Sequence, residues 1–210
     1  PWELDPDMFD SPLPDYVNSR SGRVKAGLGT IARVVSNGTN IYSGRLRFSE
    51  VKARVESIYM PYHNEQNDLM NKTRDQFGCA VLIDCHSMPS AGDFYGDMSL
   101  RRPRAKMPDF ILGNRYGRSC APVVIDVAEG FLSELGYSVV RNDPYSGGYS
   151  TRRHGDPKEG IHAMQIEISR ALYMDEVGLS LSAGFTTLEI DMYNLIDRLM
   201  SVSTKALLPQ

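Results

Sequence analysis

The sequence has few of the features that mark several large classes of protein. Only 3 of its 210 residues are cysteines, an odd number without CxxC spacing. This argues against a disulfide framework or a zinc ribbon and is typical of a reducing compartment. No apolar run is long enough to span a bilayer, and the first residues lack the basic and apolar regions of a signal peptide. We therefore expect a cytoplasmic protein without a membrane partner.

Clusters of positive charge and two common catalytic signatures are also absent. The net charge is -3 at pH 7, with lysines and arginines scattered along the chain, so we expect no nucleic-acid partner. The sequence has no glycine-rich phosphate loop of the Walker or dinucleotide type. It has no GxSxG elbow either, which disfavours a serine hydrolase of that kind.

Helical and strand patterns alternate through the second half of the sequence. Residues 49–77 are predicted to be helical, with Pro61 dividing them into two helices and Gly78 ending the second. Strands are predicted over 79–84, 109–112, 137–141 and 162–168, helices over 122–135 and 186–199, and a hairpin around Asn37-Gly38. This alternation predicts an α/β sheet with helices on both faces, in a single domain over residues 1–210.

The first candidate site follows the apolar run 80–83, where Asp84-Cys85-His86-Ser87 begins. In α/β sheets, functional groups gather beyond the carboxyl ends of strands. In a strand, Asp84 and His86 point to the same side, so that one can bind a metal ion while the other supports it. The alternative is a strand-end histidine bonded to the backbone, with Asp84 starting a turn.

The second candidate is Glu167, a charged residue inside the strand-like run 162–168. Gln165 and Glu167 share one face of that strand, and the apolar residues share the other. A carboxylate in a partly desolvated site has a raised pKa and can serve as general base near neutral pH. An amphipathic edge strand would show the same alternation, so both interpretations stay open.

The third candidate is the glycine-rich segment 145–155. Gly148 would let the backbone approach a ligand closely. Arg152 and Arg153 are cations of the kind that hold a carboxylate through two parallel hydrogen bonds, and His154 follows them. The alternative interpretation is a mobile surface loop with solvated charges.

Six stretches together resemble the N-formylglutamate amidohydrolase family, in the family's order and over nearly the whole chain. They are PWELDP at 1–6, GLGTI at 27–31, VLIDCHSMP at 81–89, DFILG at 109–113, PYSGGY at 144–149, and residues 162–175. The resemblance implies a three-layer αβα, carboxypeptidase-like (phosphorylase/hydrolase-like) fold with a mixed sheet. It also implies zinc-dependent hydrolysis of N-formylglutamate to glutamate and formate, in histidine degradation.

The resemblance also implies roles for the candidate residues. Glu167 would be the general base and acid, His86 a zinc ligand, and Asp84 a carboxylate that supports it. The residues expected to contact the substrate are Gly148, Arg152, Arg153 and His154. Zinc would lower the pKa of its bound water and polarise the amide carbonyl, although another divalent metal would also suit the site.

The sequence departs from the family pattern at the metal site. The family's two further zinc ligands lie before the stretch matched by Pro1-Trp2-Glu3. We therefore expect the N-terminal strand and ligand segment to be missing, the zinc site to be incomplete, and the 210-residue chain alone to have little activity. In addition, Arg153-His154 stands where the family pattern predicts a His-aromatic pair.

Two other functions remain open at the level of the sequence. The same fold could hydrolyse a different small-molecule N-acyl amino acid. Alternatively, the chain could be a catalytically silent domain that binds an acidic ligand.

Overall fold

The structure of the chain, a computed structural model, describes residues 2–35, 38–90 and 107–209. These residues fall into two compact units, one reaching to Gln66 and the other beginning at Asn67. The expectation of a single domain over residues 1–210 stays a prediction.

The first unit is built around a small apolar core. Its buried side chains are Leu4, Met8, Phe9, Leu46 and Val51. Its short helical segments are a 3-10 turn at Pro6–Met8, α1 at Gly22–Lys25 and α2 at Phe48–Arg54. The indole ring of Trp2 packs against the ring of Phe48 at a centroid distance of 5.7 Å, which extends this core towards the surface.

The predicted hairpin around Asn37 takes the form of one antiparallel bridge. Val34 pairs with Asn40 across it, and the N–H of Ile41 donates to the carbonyl of Arg33 at 2.9 Å. Asn37 itself lies outside the described residues. The two sides therefore meet as predicted, although as a single bridge and not as two extended strands.

The long helical region runs through Pro61, so the prediction of two separate helices is wrong. After α2, a π-helical turn at Val55–Tyr59 leads directly into α3, Met60–Phe77. Proline lacks an N–H, and its ring clashes with the carbonyl four residues earlier in a regular helix. In the π turn, the N–H of Met60 bonds to the carbonyl of Val55, five residues back, so the wider turn accommodates the proline. Gly78 ends α3 as predicted, with φ at +83°.

The second unit contains a four-stranded mixed sheet. The strands are β1 at Ala80–Met88, β2 at Phe110–Gly113, β3 at Val139–Arg141 and β4 at Ile161–Ser169. Their order is β1-β4-β2-β3, with β4 parallel to β1 and antiparallel to β2, and β2 parallel to β3. A separate short pair joins β5, Met174–Asp175, to β6, Ser180–Leu181. The predicted α/β fold with a mixed sheet is confirmed.

Strand β1 is longer than its apolar run predicts. It continues past Asp84 to Met88 because its parallel pairing with β4 is unbroken as far as the pair Met88 and Ser169. The apolar run covers only the first half of β1, and the buried Met88 lies at the other end of the strand. Asp84 and His86 therefore lie inside the strand and not beyond its end.

Helices cover both faces of the sheet. On one face, α4 (Pro122–Glu134) and α6 (Phe185–Met200) share a core with side chains of β2 and β4. On the other face, Met70 of α3 packs against Ala80 and Ile161, whose side chains point away from that core. Within the described part of the chain, no helix has both the length and the apolar character that crossing a membrane requires.

Candidate active site

A group of polar side chains lies on one face of the sheet, where β1 and β4 pair. Asp84 stands opposite Gln165, and His86 stands opposite Glu167. Because side chains alternate along a strand, all four point to the same face. The parallel pairing thus brings together residues that are 81 positions apart in the sequence, as the register of His86 with Glu167 shows.

Glu167 is buried in the interior of the sheet. Strand β4 is paired on both sides, so the interpretation of its alternating pattern as an edge strand is wrong. The side chain of Glu167 is 7% exposed, and this burial is the main cause that raises its pKa above the usual value. A hydrogen bond from Gln165 and the charge of His86 act in the opposite direction. A carboxylate of this kind can accept a proton from water near neutral pH.

His86 and Asp84 form a pair beside Glu167. The Nε2 atom of His86 lies 3.1 Å from Oδ1 of Asp84, and the imidazole is half exposed. A carboxylate in this position can orient the imidazole. The alternative in which Asp84 starts a turn at the strand end is wrong, because β1 continues for four residues beyond it.

The described residues do not supply a complete set of metal ligands. Within 2–35, 38–90 and 107–209, no group of three or more His, Cys, Asp or Glu side chains is arranged to hold a metal ion. Catalytic zinc normally has three protein ligands. The role of His86 as a zinc ligand therefore stays a prediction, and these residues by themselves do not fit a finished zinc site.

The glycine-rich segment after β3, for which a mobile surface loop was the alternative interpretation, contains a short helix. Helix α5 spans Tyr149–His154 and contacts both β4 and β1. The preceding segment lies tightly against the end of β2. A Cβ atom added to Gly113 would come within 2.6 Å of the backbone nitrogen of Gly147. Gly113 thus allows the segment to cross the same face of the sheet that bears Glu167.

The four predicted substrate-contact residues differ in their surroundings. The N–H of Gly148 donates to Oε1 of Gln165, which connects this segment to the polar group on β4. Arg152 and Arg153 are exposed, with the guanidinium of Arg152 5.5 Å from the ring centre of Tyr149. His154 is buried at 5% exposure. Their roles in binding a substrate stay predictions.

Two residues beside Glu167 were given no role at the level of the sequence. The alternation of side chains along the strand placed Gln165 on the same face as Glu167. That placement could have indicated the hydrogen bond between the two side chains. Arg170 follows β4 directly, and its Nε lies 3.4 Å from Oγ of Ser87. Its positive charge lowers the pKa of Glu167, after the larger effects of burial, Gln165, His86 and Asp84. The signal available in the sequence was the position of Arg170, a cation directly after a predicted strand that contains Glu167.

Comparison with known families and curated proteins identifies relatives of this chain. A family model described as N-formylglutamate amidohydrolase matches residues 1–174. An N-formylglutamate deformylase of Pseudomonas putida is 40% identical over 128 residues, which are 60% of this chain and 45% of the relative. An N-formylglutamate deformylase of Pseudomonas aeruginosa is 34% identical over 120 residues, or 57% of this chain and 42% of the relative. The chain thus matches less than half the length of each of these two curated relatives.

Comparison with solved structures gives the same family. The crystal structure of N-formylglutamate amidohydrolase from Ralstonia eutropha JMP134 has a TM-score of 0.82 and 33% identity, covering 98% of this chain and 70% of that one. A gene product from Agrobacterium tumefaciens has a TM-score of 0.52 at 18% identity, over 74% of this chain and 56% of the other. At that identity, the second match speaks for the fold alone.

Proposed function

Because the chain belongs to the N-formylglutamate amidohydrolase family, we propose that it acts in the hydrolysis of the formyl amide of N-formylglutamate. The products are glutamate and formate, and the reaction belongs to histidine degradation in a cytoplasmic setting. The observation that carries this proposal is Glu167, a buried carboxylate on the central strand with a hydrogen-bonded neighbour and a raised pKa.

Glu167 serves as general base and then as general acid. It takes a proton from the attacking water, which adds its oxygen to the formyl carbon. It then returns the proton to the amide nitrogen, so that the C–N bond breaks and glutamate leaves as an amine. The raised pKa makes the carboxylate a stronger base for the first step, and in the second step the carboxylic acid that results donates its proton to the leaving amine, which is far more basic than a carboxylate.

Arginines on α5, together with Arg170, recognise the two carboxylates of N-formylglutamate. Arg152 and Arg153 are exposed on α5, which packs on β4 and β1, and Gly148 begins that helix. An arginine can hold a carboxylate through two parallel hydrogen bonds. Arg170 adds a third positive charge beside the same strand.

We propose further that the reaction depends on zinc or another divalent metal, with His86 as one ligand and Asp84 supporting its imidazole. The metal would polarise the formyl carbonyl and lower the pKa of the water. The remaining ligands must come from outside the described residues, because these hold no group of three donors.

A substrate panel tests the proposed function. Release of formate or of other acids is measured from N-formylglutamate, N-formylaspartate, N-formylglutamine and N-acetylglutamate, for both the 210-residue chain and the longest product of its gene. The highest kcat/KM is expected for N-formylglutamate. Preference for a different acyl amino acid would replace the substrate assignment, and tight binding of N-formylglutamate without turnover in either protein would indicate a silent binding domain.

Zinc binding is tested independently of activity. The longest product of the gene is dialysed against zinc, and bound metal is counted by elemental analysis in the wild type and in His86→Ala. Loss of zinc in the variant is expected if His86 is a ligand. Stoichiometric zinc in the variant would remove His86 from the metal site.

A further inference from the structure

The side-chain amide of Gln165 lies between the glycine-rich segment and Glu167. Gln165 is 5% exposed, and its Oε1 accepts a hydrogen bond from the N–H of Gly148 at 2.5 Å. Its Nε2 donates to Oε1 of Glu167, also at 2.5 Å. A buried amide of this kind has both its acceptor and one donor engaged, so its position is closely determined.

The orientation of this amide follows from the chemistry of its neighbours. A backbone N–H can only donate, so the oxygen of Gln165 must face Gly148. The NH₂ group then faces Glu167. A flipped amide would set N–H against N–H on one side and oxygen against carboxylate on the other. The hydrogen bond to Glu167 is therefore assisted by the charge of the carboxylate and is among the stronger kinds.

The anchor at Gly148 is itself fixed by close packing. The hydroxyl of Thr151 donates to the carbonyl of Gly148 at 2.9 Å. The preceding residue, Gly147, has φ at +120° and lies against Gly113 of β2. The position of Gly148 is thus set by β2 and α5, which makes it a rigid reference point for Gln165.

We propose that Gln165 is a positioning residue for Glu167. With its amide oriented by the N–H of Gly148, it holds one carboxylate oxygen of Glu167 in place and leaves the second oxygen to exchange the proton with water. This inference rests on the proposed function for its catalytic consequence, but its structural part can be tested without any activity. A misplacement of about 1 Å of a reacting group can cost roughly 100-fold in rate.

A purely structural role is the competing explanation, since any buried glutamine needs hydrogen-bond partners. A matched control separates the two. Ser119 is fully buried, and its hydroxyl donates at 2.8 Å to the carbonyl of Ala163, which lies in β4 like Gln165. Gln165→Met and Ser119→Ala each remove a buried side-chain hydrogen bond to β4, but only the first removes a contact with Glu167.

The experiment combines crystal structures with steady-state kinetics of the wild type and both variants. In Gln165→Met, we expect the carboxylate of Glu167 to leave its observed position, kcat to fall about 10- to 100-fold, and KM to change by less than about threefold. In Ser119→Ala, we expect Glu167 to keep its position and both constants to stay within about twofold, because no group near the reaction changes.

A second variant keeps the inference testable if Gln165→Met does not fold. In Gly148→Ala the new Cβ would lie 3.1 Å from Oε1 of Gln165, and the backbone φ of -85° suits alanine. Gln165 and Glu167 should then shift together in the crystal structure of the variant.

The outcomes divide clearly. The inference would be overturned if Glu167 kept its position in Gln165→Met, or in Gly148→Ala if only that variant folds. Equal kinetic losses in Gln165→Met and Ser119→Ala would also overturn it. Displacement of Glu167 in Gln165→Met, with Glu167 unmoved in Ser119→Ala, supports the inference. If the wild type hydrolyses no N-acyl amino acid, the proposed function is rejected, but this displacement would still support the positioning role of Gln165.

Discussion

Glu167 combines burial with ionisation, and at the scale of single residues this combination gives the site its chemistry. Its carboxylate is removed from water on the central strand, and its neighbours offset part of the cost through a hydrogen bond and positive charge. The alternation along the sequence was sufficient to place Gln165 and Glu167 on one face. Their burial could not be predicted, because it depends on β1 and β2, which are distant in the sequence.

The raised pKa of Glu167 predicts a dependence of stability on pH. Since the folded state binds this proton more tightly than the unfolded state, the contribution of Glu167 to stability is lost as pH rises above the unfolded value of 4.5. Glu167→Gln stays neutral, so its free energy of unfolding should rise relative to that of the wild type as pH increases above 4.5, until the folded wild type has lost the proton of Glu167. Urea unfolding in EDTA at several pH values measures this difference.

The same titration contains its own control. Asp84, His86 and Arg170 also act on Glu167, and all three remain in the variant. A difference between the two proteins that is constant with pH, or that shrinks as pH rises, would contradict the burial of an ionisable Glu167.

At the scale of elements, the crossing of the glycine-rich segment over β2 brings α5 to the site. The close approach at Gly113 involves backbone atoms of residues 145–147, which cannot move aside as a flexible side chain can. Sequence patterns predicted β2 and the glycines but not their contact, because no periodicity marks where two backbones touch.

Gly113→Ala should therefore destabilise the second unit. Forcing a methyl group into this contact should lower the free energy of unfolding by about 1–3 kcal/mol, as overpacking does. Gly130→Ala is a matched control, since Gly130 lies inside α4 with no atom within 4 Å of an added Cβ. That substitution should raise stability by about 0.5–1 kcal/mol. Equal stability of Gly113→Ala and the wild type in urea unfolding would show that the segment is free to move.

His162 connects three elements on the opposite face of β4. Its Nδ1 accepts a hydrogen bond from the N–H of Ala121 at the start of α4, and its Nε2 donates to the carbonyl of Leu207 at 2.9 Å. With 1% exposure, it is a structural histidine, unlike the half-exposed His86. The sequence placed His162 on a predicted strand and His86 just after one, but contained no sign of this difference in burial.

His162→Ala should destabilise the protein much more than His86→Ala. The first leaves a cavity and two backbone groups without partners, a partly buried N–H and a buried carbonyl, which costs about 2–4 kcal/mol. The second removes a half-exposed side-chain contact with Asp84, worth at most about 1 kcal/mol. Thermal and urea unfolding of both variants, without metal, measure the difference. Similar losses would contradict the assignment of His162 as the structural member of the two.

At the scale of the whole molecule, the fold class and family were predictable from the sequence, whereas two features of its elements were not. The alternation of helices and strands predicted the α/β class, and the family resemblance predicted that the sheet is mixed. The full length of β1 and the passage of a helix through Pro61 did not follow from local patterns. The first depends on pairing with β4, and the second on a π turn that precedes the proline.

The central claim is that Glu167 moves the proton in hydrolysis of N-formylglutamate. The most direct test is the steady-state turnover of N-formylglutamate by the wild type and by Glu167→Gln, made in the longest product of the gene and compared at pH 7. We predict that kcat falls about 100- to 10,000-fold while KM changes by less than about threefold, because general acid–base catalysis is lost and binding is kept. Near-normal turnover by Glu167→Gln would contradict the account.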